Sequence, residues 1–507
     1  MTSVRLLLPS LLLLATASAA RAATCDVTAF GARGDGATLA TTAIQRAIDA
    51  CRDQGGGRVV VPAGVFVSGT LRLHSRIELH LEAGAVLRGS PRVEDYQLDG
   101  RRLGLLYADR AEGVSITGRG TIDGNSDAFM DRTAAKRVEP PLVLQTRQKE
   151  RFREVASGLG DGPYVPRDRP FQMILLSACR DVSLEDVTIV NAPFWAVHFA
   201  DCDSVRVRGV RLFNDPMVPN GDGIDFTSCR NVVVSDCDIR AGDDALVFTG
   251  YDGHFDLPGF TGGSRDSENV VVTNCTLQSR SSAIRIGGLD QRAMRNYAFS
   301  NIVIHDSNRG IGVFQRAEGS IENVTFSNVV IRTRLHTGDW WGNGEPIHVS
   351  AARVNEKGPI GRIRGLTFSH VRATGESGIV VYGTAESVIE DVTFEDVDFR
   401  LEKSPLHETS GGNFDLRLVA DPKLQLFAHD VPALYAQHVK GLRLRDVTLA
   451  WGAVTQPYFT HGVEVVHFDG LTIEGLRAEA APSSRDRAPV RLRDGRGARV
   501  GEVRKPR

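Results

Sequence analysis

The chain has 507 residues, of which 60 are Lys or Arg and 62 are Asp or Glu, so its formal net charge is −2. This balance excludes the one-signed electrostatic field that nucleic-acid binding uses, and we expect no nucleic-acid partner. Glycine is frequent, at 52 residues, which is typical of a chain with many turns.

The first 22 residues have the pattern of an export signal. Arg5 supplies a positive start, and the apolar run from Leu6 to Ala15 is too short to span a bilayer. Ala20-Arg21-Ala22 is a small-x-small cleavage site. We therefore expect cleavage near Ala22/Ala23 and a mature protein that is periplasmic or secreted. We expect no membrane-embedded segment in the rest of the chain.

A helix is predicted from Thr41 to Gln54, ahead of the repeated part of the chain. Its apolar face has helical spacing and comprises Ala43, Ile44, Ala47, Ile48 and Cys51. Three glycines from Gly55 end the helix. Such a helix would cap the N-terminal end of a β structure by covering its strand edges. Cys25 and Cys51 flank this region and can pair in an oxidising compartment.

The main part of the chain, residues 23–480, repeats a short phrase of alternating Val, Ile, Thr and Phe between turn residues. Copies begin at Gly113, Asp181, Ser204, Asn231, Asn269, Asn301, Asn323, Gly365, Asp391, Gly441 and Val465. The spacing runs mostly from 22 residues (Asn301 to Asn323) to 38 (Asn231 to Asn269). Repeats of this length without helical periodicity predict an all-β solenoid of parallel strands, with the Asn residues stacked in a ladder at one corner. A propeller or a row of sandwiches is disfavoured by the irregular spacing.

Five further cysteines follow the repeat. Cys179, Cys202 and Cys229 each open a similar phrase, and Cys237 matches Cys275. Equivalent positions in successive repeats predict stacked buried thiols, since a free cysteine behaves as a small hydrophobic residue. Disulfide bonds among them remain an alternative.

Three segments depart from the repeat. Residues 125–170 form an insertion with a predicted helical piece near Gln145–Val155, and we expect it to wall a groove. Residues 250–266, with His254 and three other aromatic residues, leave the coil directly after Asp243 and Asp244 and are placed to touch a substrate. Residues 481–507 are basic and form either a tail or a last coil.

Four carboxylates fall on two neighbouring strand ends: Asp222, Asp225, Asp243 and Asp244. Like charges raise one another's pKa, so one group can stay protonated near neutral pH and act as an acid. Hydrolysis of a glycosidic bond needs one carboxylic acid and one carboxylate. Turn chemistry explains Asn220-Gly221 and Gly223 but leaves Asp243-Asp244 without a role, so we favour a catalytic cluster.

At these residues the sequence resembles glycoside hydrolase family 28, the polygalacturonase family. The resemblance lies in Phe30-Gly-Ala-Arg-Gly-Asp-Gly36, Gly118-Arg-Gly-Thr-Ile-Asp-Gly124, Asn191-Ala-Pro-Phe-Trp195, Pro219-Asn-Gly-Asp-Gly-Ile-Asp225 and Gly242-Asp-Asp244. It implies a right-handed parallel β-helix and an inverting hydrolase. Asp243 would be the general acid, and Asp222 and Asp244 would activate water. Asn220 would match an Asn of the family's Asn-Thr-Asp motif. We expect the acid to lie roughly 6.5–9.5 Å from the water-activating pair.

The sequence departs from the family at its sugar-binding positions. Ser281 stands where the family has a His, and Gly312 and Phe314 stand where it has the Arg and Lys that hold a galacturonate carboxylate. Alternation along the strand sends Arg285 outward, one coil beyond the aspartates. Arg285, with Arg316 behind it, is the candidate replacement cation.

Other candidate substrate-binding residues are Asn220, Asp225, His254, Trp340 and Trp341. The tryptophan pair can stack on sugar faces or anchor the core, and His254 can replace the lost His or cap a turn.

The sequence therefore predicts a secreted hydrolase of α-glycosidic bonds in pectic or related acidic plant polysaccharide, with weak action on plain polygalacturonate. A non-hydrolytic polysaccharide-binding β-helix and a polysaccharide lyase are the alternatives. We expect no metal ion or other cofactor, because no His or Cys pair has ligand spacing. The expected partner is the saccharide, and the expected state is a monomer.

Overall fold

A computed structural model describes residues 23–136, 159–251, 258–263 and 265–506. Its centre is a right-handed parallel β-helix, as predicted, in which each coil contributes strands to three parallel sheets that run the length of the molecule. None of the described helices is long and apolar enough to cross a membrane. The export signal lies outside the described residues.

The first sheet holds the repeated phrase. Its strands are Ala23–Asp26, Gly57–Val61, Ile77–Leu81, Glu112–Gly118, Arg180–Glu185, Asp203–Arg208, Arg230–Ser235, Ser267–Ser279, Met294–Ser307, Ile321–Thr333, Ile363–Gly375, Ile389–Leu401, Leu434–Trp451, Val463–Glu474 and Arg496–Val500. From Ser267 onward the longer strands bend and also supply the second sheet.

The second sheet begins with shorter strands. They are Asp35–Leu39, Gly64–Ser68, Ala85–Gly89, Thr121–Asp123, Thr188–Val190, Arg211–Phe213 and Asp238–Ala241, and Arg477–Ala478 joins it at the far end.

The third sheet carries the candidate site. Its strands are Leu71–Leu73, Leu106–Asp109, Ile174–Ser177, Val197–Ala200, Ile224–Thr227, Leu246–Gly250, Ser282–Asp290, Arg309–Gln315, Ile347–Ala351, Ile379–Tyr382, the first residues of Leu434–Trp451 and Val463–Glu474, and Val490–Arg493.

Short elements decorate the coils. Antiparallel pairs are Gln97–Leu98 with Arg101–Arg102, Met130–Ala135 with Tyr164–Pro166, and Phe414–Asp415 with Leu426–Phe427. Helices besides the N-terminal one are the α-helical turns His407–Ser410 and Pro422–Gln425 and the 3-10 turns Val27–Phe30, Val93–Asp95, Ser126–Phe129 and Pro482–Ser484. Strands Val490–Arg493 and Arg496–Val500 form a last coil, so the coil alternative holds for this segment.

The predicted capping helix spans Thr41–Asp53. All five residues of its predicted apolar face are buried, and the helix packs against the first strands of the coil. Cys51, on the buried face, forms a disulfide bond with Cys25. The helix therefore covers the first coil and is bonded covalently to its first strand.

Stacked rings run through the core. Phe199, Phe226 and Phe248 stack on the inner side of the third sheet with centroids 5.3 and 5.1 Å apart. Phe248 then meets Phe299 of the first sheet edge to face at 5.5 Å. From Phe299 the stack continues along the first sheet through Phe326, Phe368 and Phe394, with centroids 4.7, 5.1 and 5.0 Å apart. Aromatic pairs of this kind stabilise a fold beyond the area that they bury.

The predicted ladder of Asn side chains at one corner is present, and the structure contains a second ladder. Asn231, Asn269, Asn296 and Asn323 are linked by side-chain hydrogen bonds of 3.1, 3.3 and 3.4 Å. A second ladder joins Asp236, Asn274, Asn301 and Asn328. Asn301, which the repeat placed in the first ladder, belongs to the second. All these residues have a left-handed backbone, which Asn and Asp tolerate better than most residues.

The remaining five cysteines are buried free thiols in the described structure. The thiol of Cys202 donates to the carbonyl of Leu176 in the preceding coil, and the thiol of Cys229 donates to that of Phe199. The prediction of stacked thiols is confirmed. Of the insertion 125–170, the hairpin at residues 130–135 and 164–166 is described, whereas the predicted helical piece lies outside the described residues.

Removal of the disulfide should destabilise the first coil. The bond closes a loop with a sequence separation of 26, for which the chain-entropy model gives about 3–4 kcal/mol. We expect the double variant Cys25→Ser/Cys51→Ser to unfold at lower denaturant concentration than the wild type, measured by circular dichroism. A reductant should lower the midpoint of the wild type and leave that of the variant unchanged; an equal midpoint for the two proteins would contradict the expectation.

Candidate active site

The register of the third sheet brings the aspartates together. Ile224 pairs with Leu246, and Leu246 pairs with Ile284 in the next coil. Asp222 and Asp244 stand two residues before these strands, at equivalent positions of adjacent coils. Between them the backbones approach closely: a Cβ on Gly223 would lie 2.3 Å from the carbonyl oxygen of Ala245. Glycine at position 223 therefore permits the two coils to pack in this register.

The three predicted catalytic carboxylates form one compact cluster. One oxygen of each of Asp222, Asp243 and Asp244 lies within 4.8 Å of the others. Asp222 and Asp244 are buried, and Asp243 is partly exposed. The predicted separation of roughly 6.5–9.5 Å between acid and base is therefore wrong. Asp243 and Asp244 are adjacent in sequence, and Asp222 is only one coil away, which holds all three close together.

Asp244 is held by two donors on the next coil. The backbone N–H of Ser282 donates to its Oδ1 at 2.7 Å, and Nη1 of Arg285 donates to its Oδ2 at 3.1 Å. Hydrogen bonds and an opposite charge favour the charged form of a carboxylate. Arg285 points outward as predicted, because Ile284 and Ile286 on either side are buried in the core. Its contact, however, is with Asp244 of the carboxylate cluster.

The carboxyl group of Asp243 has a pKa close to neutral pH. Burial and the neighbouring Asp244 raise its pKa to about 7, against the opposing influence of Arg285. Burial and the charge of Asp243 also raise the pKa of Asp222 well above its usual value. Oδ1 of Asp222 has no hydrogen-bond partner in the described structure. The cluster thus contains one carboxylate stabilised by donors and two carboxyl groups that resist ionisation, of which Asp243 is the more accessible.

Arg169, which the sequence did not single out, holds the turn before Asp222. Its Nη1 donates to the carbonyls of Pro193 and Pro219, both at 2.7 Å, and its Nη2 donates to Oδ1 of Asn220 at 3.0 Å. Its guanidinium also lies over the ring of Phe194, 4.8 Å from the centroid. Asn220 is exposed at the site and oriented by this contact. The partners lie 24 to 51 residues from Arg169, so no local pattern indicates them.

Aromatic residues wall a pocket of about 230 Å³ above Asp222 and Asp243. Trp341 is 37% exposed, whereas Trp340 is 2% exposed and donates its indole N–H to the carbonyl of Asp161 at 3.1 Å. Both tryptophans line the pocket. Trp341 is the more exposed of the two, whereas Trp340 also connects its loop to Asp161. Trp195 is a further wall residue. It belongs to the quoted family motif, but no spacing or alternation in the sequence indicates that its side chain reaches the site.

The remaining candidate substrate-binding residues are Asp225, Arg316 and His254. Asp225 is buried beneath the site, next to Arg285. Arg316 is 2% exposed, and its guanidinium donates to Gln315, Ser350 and Leu416. The prediction that Arg316 binds substrate is therefore corrected: its donors bond the protein's own chain. His254 lies outside the described residues.

Phe314 occupies one of the two positions at which the family resemblance implies a cation. Its ring is buried between the guanidinium groups of Arg309 and Arg316, with centroid distances of 5.0 and 5.3 Å. The ring also lies over Gly312, where an added Cβ would be 2.5 Å from it. Positively charged groups are thus present near the expected clamp, but they stack on Phe314 inside the protein.

The carboxylate cluster is poorly suited to bind calcium. Calcium takes six to eight oxygen ligands, and the cluster offers three carboxylates. Arg285 already contacts Asp244, and a guanidinium repels a second cation at the same group. The donor set therefore fits acid–base chemistry better than calcium binding.

Two family models match the chain. The model described as glycosyl hydrolases family 28 matches residues 166–409, and the model described as rhamnogalacturonase A/epimerase, pectate lyase-like, matches residues 24–120. Together they cover the capping region and the coils that carry the site.

Curated relatives are similar over part of their length. A probable polygalacturonase of Vitis vinifera is 26% identical over 317 residues, which cover 59% of this chain and 58% of the relative. An exo-poly-alpha-D-galacturonosidase of Dickeya chrysanthemi is 32% identical over 257 residues, 44% of this chain and 41% of the relative. The aligned part thus spans about half the length of these relatives.

Two solved structures share the fold. The exopolygalacturonase of Thermotoga maritima is 25% identical, with a TM-score of 0.56 over 75% of this chain and 87% of that chain. The family 28 exopolygalacturonase of Yersinia enterocolitica has a TM-score of 0.64 over 96% of this chain and 79% of that chain; at 20% identity it supports the fold alone.

The crowded carboxylates should lower the stability of the folded protein at neutral pH. The pKa of Asp243 is raised from 3.8 to about 7, so the stabilisation that comes with its protonated form is complete below pH 3.8 and is lost as the pH rises through 7. We expect Asp243→Asn to raise the thermal unfolding midpoint at pH 7.5, and to raise it much less at pH 4. Scanning calorimetry at both pH values checks this, with the exposed Asp186→Asn as control; a lower midpoint for Asp243→Asn at pH 7.5 would show that Asp243 is not under electrostatic strain.

Proposed function

This chain belongs to family 28 of the glycosyl hydrolases, and from that premise we propose that it hydrolyses α-glycosidic bonds in pectic polysaccharide or its oligosaccharides. The observation that supports the proposal most directly is the cluster of Asp222, Asp243 and Asp244, in which adjacent carboxyl groups have opposite environments. Pairs of titratable groups with divergent environments mark acid and base roles. The pattern of residues 1–22 supports action outside the cytoplasm.

The proposed reaction is a direct displacement. Asp243 donates its proton to the glycosidic oxygen as the bond from that oxygen to the anomeric carbon breaks. A water molecule adds to the anomeric carbon from the opposite side, and its proton passes to Asp244. Asp244 suits this role because Arg285 and the N–H of Ser282 stabilise its charged form. One displacement inverts the configuration at the anomeric carbon. The family resemblance supports this outcome, whereas the separation of the carboxyl groups is shorter than is usual for inverting enzymes, so the anomer of the product decides between inversion and retention.

A water molecule that bridges Asp222 and Asp244 is compatible with the size of the cluster. A water that bonds two oxygens at ordinary distances, with a near-tetrahedral angle, places them about 4.5 Å apart. The oxygens of the cluster lie within 4.8 Å of one another. The water bonds to both residues. Burial and the charge of Asp243 raise the pKa of Asp222, so Asp222 keeps its own proton and the proton of the water passes to the carboxylate of Asp244.

The walls of the pocket favour a sugar with an apolar face beside the scissile bond. Gly312 and Phe314 supply no cation for a galacturonate carboxylate. Of the two described cations that line the pocket, Arg285 bonds Asp244 and Lys136 pairs with Asp339 at 3.3 Å. Trp195 and Trp341 line the pocket, and indole rings are suited to stacking on a sugar. We propose a mixed pectic chain such as rhamnogalacturonan, or a modified oligosaccharide, as a better substrate than plain polygalacturonate.

Replacement of the acid tests the mechanism. Asp243→Asn should lower kcat at least about a hundredfold, because a positioned general acid contributes that much, while circular dichroism shows an unchanged fold. The Asp186→Asn variant should retain the wild-type kcat. For the wild type, proton NMR of the first products should show inverted anomers. Retained anomers, or turnover of Asp243→Asn within a few-fold of the wild type, would refute the assignment.

A comparison of substrates tests the proposed preference for a sugar with an apolar face beside the scissile bond. We expect kcat/KM on rhamnogalacturonan fragments to exceed that on polygalacturonate, and Trp341→Ala to lower the former by up to about tenfold, the range of one lost aromatic stacking contact. Arg285→Ala should lower kcat on both substrates, since it removes the partner of Asp244. Efficient cleavage of polygalacturonate that is unaffected by Arg285→Ala would contradict both points.

A further inference from the structure

The outward-facing residues of the third sheet form one row along the axis of the β-helix. In register, the row consists of Tyr107, Leu175, His198, Asp225, Val247, Arg285, Gly312, His348, Val380, Tyr435 and Glu464. In an uncovered β-helix this face would be a solvent-exposed groove. Here every member of the row is buried except Arg285, whose side chain is 19% exposed.

Residues 258–263 cover the row on the N-terminal side of the site. Phe260 packs against a small cluster formed by Leu103, Tyr107, Leu175 and Ala200. The hydroxyl of Tyr107 donates to the carbonyl of Gly259 at 3.2 Å. The N–H of Gly263 donates to Oδ2 of Asp201 at 2.6 Å. These bonds reach two different coils, so the segment lies across the face.

Residues 402–433 cover the row on the C-terminal side. The carbonyl of Asp415 accepts from Nη2 of Arg309 at 3.0 Å, and the carbonyl of Leu416 accepts from Nη2 of Arg316 at 3.1 Å. The ring of Phe414 stacks on Tyr435 with centroids 5.6 Å apart. The two covers leave an opening at Arg285 and the aspartates.

The remaining pocket is small and has a recess in its floor. At about 230 Å³ it lies below the roughly 300–1,000 Å³ of typical ligand sites. The recess, about 20 Å³, adjoins the pocket at Trp195 and Arg285 and is lined by Asp225, Thr227 and Phe260. That volume holds one water molecule or one hydroxyl group.

Asp225 gives the recess a specific chemistry. The residue is 3% exposed, and its Oδ2 has no hydrogen-bond partner in the described structure. A buried carboxyl oxygen without a partner is costly, and a hydroxyl donor that reaches it removes that cost. A sugar hydroxyl is such a donor.

We propose that this pocket binds the end of a saccharide chain, and that Asp225 recognises the end by bonding a free terminal hydroxyl group in the recess. The inference rests on the proposed function and specifies its substrate. A sugar inside a chain carries another sugar on the corresponding oxygen, which the covers exclude. The enzyme would therefore release short products from one chain terminus and leave internal bonds intact.

Product analysis tests the closure of the groove. The substrates are rhamnogalacturonan and galacturonate oligosaccharides of defined length, labelled at the reducing end and followed by chromatography. We expect the first products to be one or two sugars from a single end. Fragments from the middle of the chain among the first products would overturn the inference while leaving hydrolysis itself established.

A binding measurement tests the recess independently of turnover. Calorimetry with the Asp243→Asn protein compares a trisaccharide that has free terminal hydroxyls with the same trisaccharide methylated at those oxygens. We expect at least tenfold weaker binding of the methylated form. Equal affinity would overturn the role of the recess, whether or not the wild type hydrolyses either compound.

Two substitutions, each added to the Asp243→Asn protein, test whether the difference in trisaccharide binding arises in the recess. Val247→Leu enlarges a side chain that lines the recess, and Asp225→Asn replaces the carboxyl oxygen while keeping its shape. Each should weaken binding of the free trisaccharide at least several-fold and leave the methylated one unaffected. Val233→Leu, at an exposed position of the same coil, is the matched control. Equal losses for both trisaccharides would assign Asp225 a structural role only and overturn the proposal.

Discussion

The register between coils is the constraint on which the site depends. Parallel hydrogen bonding between successive strands places equivalent positions of neighbouring coils directly beside each other. Asp222 and Asp244 are neighbours for that reason, and so are the stacked phenylalanines and the asparagine ladders. A slip by one residue would turn Asp244 away from Asp222 and would bring Arg285 into the core. The apolar interior therefore fixes the geometry of the polar site.

The electrostatics of the cluster follow from the same packing. Three carboxyl groups confined within 4.8 Å cannot all be ionised at low cost. Arg285 acts on them unequally, because it contacts Asp244 and stands one coil beyond Asp243. The placement of one cation thus gives neighbouring carboxyl groups different surroundings, which the proposed division into acid and base requires.

Patterns in the local sequence predicted the features that neighbouring residues determine. Alternation along single strands gave the outward direction of Arg285, helical spacing gave the buried face of Thr41–Asp53, and repeated phrases gave the coil, the ladders and the stacked thiols. Prediction from local sequence failed where contacts with distant segments determine the position of a side chain. Arg169 bonds residues up to 51 positions away. Arg316 follows the end of its strand, and a loop 100 residues downstream supplies one of its acceptors.

The two covers differ from the coils in the distance along the chain that their contacts bridge. Ladder contacts between coils commonly join residues 27 positions apart, whereas Tyr107 meets Gly259 across 152 positions and Arg309 meets the carbonyl of Asp415 across 106. Closing longer loops costs more chain entropy, and each cover needs finished coils on which to dock. The β-helix can accordingly be assembled coil by coil from neighbouring segments, but the pocket is a property of the whole chain and comes into being only when its most distant parts meet.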